Sequence, residues 1–203
     1  MNRAELIQIC GVVLFIAGGS LLNIFLSVPA KLGGLLTLYL GAAVLLLRIC
    51  SLQMCLALAI CGVGVTILFL SVPRGSLMQD HHEADRRVYL WFRVLLAFVS
   101  GVLAYTAVEL LRFWIPVRQT VLFPAVYVML AGLISLSLDD TMLYRCICLQ
   151  SVCLAFTITY IFTESSVLVF AFFTVINLLL AFGGSVLSMG SAPEEHEAGE
   201  ETQ

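Results

Sequence analysis

Apolar residues in this chain come in long unbroken runs, not in two-residue alternation and not in a narrow helical stripe. The first run extends from Leu6 to Ala30, and the next two from about Gly33 to Ile49 and from about Leu52 to Val72. A polar stretch, Pro73–Val88, follows. Four more runs cover about Tyr89–Arg112, Pro116–Leu138, Met142–Phe162 and Val167–Leu187. A helix needs roughly 20 apolar residues to cross hydrocarbon, and a helix satisfies its own backbone groups where no water can. The pattern therefore predicts an all-α fold: a polytopic helical membrane bundle of about seven transmembrane helices, three plus four, split by a polar loop. The parts are residues 1–72 with three helices, the loop 73–88, residues 89–188 with four helices, and an acidic, non-periodic tail at 189–203 that is expected to be disordered. Six spans is the alternative, if one short hairpin fails to cross.

Several boundaries can be argued residue by residue. The apolar region of a signal peptide is about 7–15 residues long, so Leu6–Ala30 reads as an uncleaved first helix, ending at Pro29. No Gly or Pro interrupts Arg48–Gln53. Yet one helix from Lys31 to Val72 would be about 63 Å long at 1.5 Å per residue, about twice the hydrocarbon thickness. Arg48 is also costly at mid-membrane, so a tight turn is expected there. The pentapeptide FLSVP occurs at Phe25–Pro29 and again at Phe69–Pro73, each time followed by a basic residue, Lys31 or Arg74. Equivalent copies would end on one membrane face with two spans between them. A duplicated hairpin and chance recurrence in apolar sequence both explain the pair.

Ala17-Gly18-Gly19-Ser20, Ala97-x-x-x-Gly101 and Ala181–Ser185 offer small surfaces for close helix approach. Pro124 is expected to kink the fifth helix, and Asp140 or Thr141 to cap the sixth. Tyr89, Trp91 and Phe92 resemble an interfacial aromatic belt, with Trp114 at the other interface.

Composition supports the membrane reading. The chain is 61% hydrophobic and 11% charged, against about 45–50% and about 25% in a soluble domain. The formal charge of −3 is largely a property of the tail, since five of the thirteen acids fall in the last ten residues. No basic cluster points to nucleic acid. The seven cysteines lie in or at the ends of apolar runs, which suits small packing residues better than a disulfide framework. Cys50, Cys146 and Cys148, near Arg48 and Arg145, are candidates for S-acylation. Seven spans put the termini on opposite faces. Lys31, Arg74, Arg86, Arg87, Arg93 and Arg145 fall on the face of the central loop, and Arg3, Arg48, Arg112 and Arg118 on the other. Six against four favours a cytoplasmic central loop and C-terminus.

The chemistry is marked by an absence. No Asp, Glu, Lys, Arg or His lies near the centre of any predicted span, whereas proton carriers, pumps and voltage sensors need ionisable groups at depth. Glu109 and Arg112 stand three apart, about one turn from an interface, and can pair on one helix face. The polar residues inside the spans are Asn23, Thr37, Thr66, Ser100, Thr106, Gln150, Thr157, Thr159 and Asn177. Asn23, Glu109, Arg112 and Asn177 are the candidates for a polar pathway or interhelical contacts. The loop segment Asp80–Asp85 has metal-ligand residue types but no spacing that selects a metal. HExxH, GxSxG, P-loop, GxGxxG and CxxC patterns are missing, so no catalytic, cofactor or metal site is expected. His81, His82, Arg86 and Arg87 form a candidate partner-docking loop. The reading is a non-catalytic integral membrane protein: an accessory or scaffold subunit of a larger assembly, or a membrane-organising protein, with lipid and other membrane subunits as partners. A channel or facilitator for a small neutral solute is the alternative. A membrane enzyme built on His81 and His82 ranks third.

Overall fold

Seven helices form from the seven apolar runs. They are α1 (Arg3–Ile24), α2 (Val28–Leu46), α3 (Leu52–Leu70), α4 (Glu83–Leu111), α5 (Gln119–Leu138), α6 (Met142–Thr163) and α7 (Val167–Gly190). The computed structural model describes residues 3–25, 27–72, 83–114, 119–139, 141–164 and 166–190, and among them there is no strand. All seven helices are long and apolar enough to cross a membrane, so the chain is an integral, multi-pass membrane protein.

Two boundaries and one cap differ from expectation. Pro29 does not close the first helix; it opens the second. Ser27 is extended (φ −77°, ψ 134°) and Pro29 stands in the first helical positions, where its missing N–H would have had no partner in any case. Lys31 thereby enters the first turn of α2. The fourth helix begins at Glu83, so Glu83–Val88 of the expected loop is helical. Thr141 occupies the N-cap position of α6, yet its side chain makes no capping bond, and its hydroxyl is buried without a partner. Asp140 lies outside the described residues.

The helices pack as two rows. One row is α1–α2–α3 and the other α5–α6–α7, with α1 against α5, α2 against α6 and α3 against α7. Helix α4 closes one end of the rows, lying on α5 and α1. Most of α2 is buried, as are large parts of α5 and α6, while α4 and α7 show large side chains such as Phe98, Leu110, Leu168 and Leu179 to the surroundings. Lipid suits such faces as well as protein does, so they need no further cover.

Small residues set the tightest contacts. A Cβ added to Gly18 would lie 2.6 Å from the Leu38 nitrogen, and one on Gly41 2.6 Å from the Phe15 nitrogen, so α1 and α2 touch backbone to backbone. The Ala97–Gly101 pair does not bring α4 equally close. A Cβ at Gly101 would find its nearest neighbour, Tyr127, at 4.0 Å.

Candidate functional site

The charged side chains nearest the membrane do not all reach water. Lys31 from the first turn of α2, Arg93 from α4 and Asp139 just past α5 converge, and their side chains are 0%, 2% and 2% exposed. Helix direction explains the convergence. The start of α2, the start of the α4 span and the end of α5 all fall on one face of the bundle. Lys31 Nζ lies 2.6 Å from Asp139 Oδ2, and Arg93 Nη2 donates to Asp139 Oδ1. Cys148, in the second turn of α6, donates its thiol to Oδ2 at 3.4 Å.

A lone buried ion costs several kcal/mol even after relaxation, and a pair offsets that only with good geometry and further hydrogen bonds. Those bonds are present. Lys31 Nζ stands 4.0 Å from the centre of the Tyr144 ring, a cation–π geometry. Arg93 also donates to Tyr89 Oη at 2.9 Å and to the Asn23 carbonyl at 3.0 Å. Asn23 is in the last turn of α1, where helix carbonyls lack internal partners. Arg145 Nε donates to the Asp139 carbonyl at 2.7 Å, which ties off the end of α5 in the same way. Five helices are thus joined at one end of the bundle, through two cations that share one carboxylate. One contact is missing: Arg93 Nε is buried without a partner.

A second polar cluster sits deeper, between α2, α6 and α7. Gln150 Nε2 donates to Tyr39 Oη at 2.7 Å and to Asn177 Oδ1 at 2.9 Å. The Asn177 amide nitrogen donates to Thr157 Oγ1 at 3.4 Å and to the Phe173 carbonyl at 2.8 Å. Such bonds contribute about 0.6 kcal/mol on average in membrane proteins, and up to about 1.7. Gln150→Leu, which removes the inter-helix donations to Tyr39 and to the side chain and carbonyl of Asn177, is expected to lower stability by about 1–2 kcal/mol. Tyr39→Phe should lower it by about half as much. Unfolding by SDS titration in mixed micelles reads both; two silent variants would mean that the cluster does not hold the helices together.

The residues singled out from sequence fall in different places. Asn23 joins the triad end and also accepts a bond from Ser135, on α5. Asn177 belongs to the deeper cluster, so the two asparagines do not line a common path. Glu109 and Arg112 pair at 3.8 Å with side chains 46% and 62% exposed, and Gln119 donates to Glu109 at 3.3 Å. His81 and His82 lie outside the described residues, and Arg86 and Arg87 are on α4 with side chains that are likewise not described. The hydroxyls of Thr37, Thr66, Ser100, Thr106, Thr157 and Thr159 donate to carbonyls of their own helices. Of the polar residues singled out in the spans, the three amides bridge between helices, and Thr157 does so as the acceptor from Asn177. Cys148 is buried against Asp139, so acylation there would require the end of the bundle to open.

The triad itself was missed by sequence reasoning. Lys31 and Arg93 counted as interfacial charges and Asp139 as a turn residue. The available signal was that all three fall within a turn of a span end on one face. No protein family, curated protein or solved structure matches the chain.

Proposed function

We propose that this is a non-catalytic membrane subunit: an accessory or scaffold component of a larger membrane assembly, or a membrane-organising protein. The observation that carries this reading is where the interior polar groups spend their bonds. The three amides, with Ser135, Tyr39 and Thr157, bond across helices, and most of the other span hydroxyls bond their own helices, so these bonds are spent on holding the helices together. A cavity between α1, α4 and α5 has a volume of about 10 Å³, room for about one water and too small for a metabolite. Purification in mild detergent, with mass spectrometry of what accompanies the chain, is expected to recover partners in stoichiometric amount. A monomeric protein that conducts a solute in liposomes would overturn it. Replacing residues 79–87, which include His81, His82, Arg86 and Arg87, with a Gly/Ser linker is expected to reduce partner recovery per folded molecule. Equal recovery would leave the segment a tether.

One observation favours a second reading, a facilitator for a small neutral solute. Gln150 Oε1 is buried without a partner beside Tyr39 and Asn177. That leaves a polar group open at depth. Solute flux lost in Asn177→Leu but not in Asn23→Leu would support it.

A further inference from the structure

The triad is unbalanced. Lys31 and Arg93 carry two positive charges against the single carboxylate of Asp139. Arg145 adds a third cation nearby, through its bond to the Asp139 carbonyl. The cavity between α1, α4 and α5 borders this surplus. Its polar lining is Asn23, Arg93, Ser100 and Ser135; Lys31 and Asp139 are not part of it. The guanidinium therefore meets the cavity without its carboxylate.

Two donors are left over there. Arg93 Nε is buried and has no partner. The Asn23 side-chain nitrogen has two protons and spends one on the Gly19 carbonyl at 2.8 Å. The hydroxyl protons nearby are already spent: Ser135 donates to Asn23 Oδ1 and Ser100 to the Leu96 carbonyl at 2.7 Å. The rest of the wall is small or apolar, including Ala97 and Ala131, and the neighbouring Gly101 has nothing closer to its missing Cβ than 4.0 Å. The wall on that side can give.

We propose that this cavity binds one small monovalent anion of halide size, held by Arg93 Nε–H and the Asn23 amide. A water would satisfy the orphan N–H but would leave the surplus charge, which is the costlier fault in a low-dielectric interior. A halide corrects both; it is somewhat larger than the one water the cavity holds, so the wall at Ala97 and Ala131 must give slightly to admit it. The anion is a structural ligand of the full chain, independent of any partner or solute.

The test is thermal unfolding of the full-length protein in detergent, with gluconate replaced by chloride or bromide at constant ionic strength. Tm is expected to rise by about 3–6 °C for each tenfold increase above half-saturation. The rise should vanish in Asn23→Leu and weaken in Arg93→Lys. If either variant does not fold, crystals of the unaltered protein grown in bromide give the second readout, an anomalous peak beside Arg93. A Tm indifferent to halide, a halide effect unchanged in both variants, or a water in place of the anomalous peak would each overturn the proposal.

Discussion

Asp139→Ala is expected to destabilise the protein by about 3–5 kcal/mol, the usual result of removing one member of a buried ion pair and leaving the other uncompensated. Here two cations lose their counterion at once, and both are almost wholly buried. The Cys148 thiol loses its acceptor as well. Asp139→Asn keeps the shape and should fare little better, because an amide does not offset charge. By contrast, the triple change Lys31→Met, Arg93→Leu, Asp139→Leu is expected to recover most of the loss, since replacing a whole buried ion network with apolar residues is often neutral or stabilising. SDS-titration unfolding and the yield of folded protein in membranes are the measurements. A loss below about 1 kcal/mol for Asp139→Ala would mean that the triad is not an ionic anchor.

The same site sets an acid limit. Burial alone would raise the Asp139 carboxyl, but attraction and hydrogen bonds from Lys31, then Arg93, outweigh it and hold the group below its ordinary value of 3.8. A carboxyl depressed by folding contributes stability in full above its unfolded value. That contribution is lost as pH falls from there through the folded value. The triad therefore predicts a protein indifferent to mild acid and weakened only below about pH 4.

The second large effect is expected at Gly18. Its missing Cβ would stand 2.6 Å from the Leu38 nitrogen and 2.8 Å from the Gly34 carbonyl oxygen. Both obstacles are backbone, which cannot rotate away as a side-chain tip can. Gly18→Ala must push α1 from α2, at a cost of about 1–3 kcal/mol, and Gly18→Leu should prevent the contact altogether. Gly41→Ala meets the Phe15 backbone from the other side and should behave alike. Gly33 provides the control, because nothing lies within 4 Å of its missing Cβ. There alanine should be neutral or better, gaining about 0.5–1 kcal/mol from helix propensity. Equal behaviour of Gly18→Ala and Gly33→Ala would sink the argument.

The hydrophobic runs made the seven helices legible, because a span is a property of some 20 consecutive residues and needs no partner to be recognised. The close approach at Gly18 was legible too, from small residues at adjacent positions in one run. What was not legible depends on pairs remote in sequence. Pro29 favours either side of a boundary until the backbone of Ser27 is seen to be extended. Ala97 and Gly101 look like Gly18 in sequence, yet Ala97 lines a cavity and Gly101 has no neighbour closer than 4.0 Å to its missing Cβ, because spacing on one helix says nothing of what faces it. Lys31, Arg93 and Asp139 each look like ordinary interfacial residues. Their burial follows only from α2, α4 and α5 ending together on one face.

The triad also has a timetable. Lys31 is made 108 residues before Asp139, and Arg93 46 residues before it. During synthesis the membrane therefore receives two cations whose counterion is still inside the ribosome. Until α5 emerges, Lys31 and Arg93 lack the carboxylate that offsets them, and burying either one alone would be costly. The second row of helices completes the first, and a chain halted after α4 would hold spans that have not yet settled.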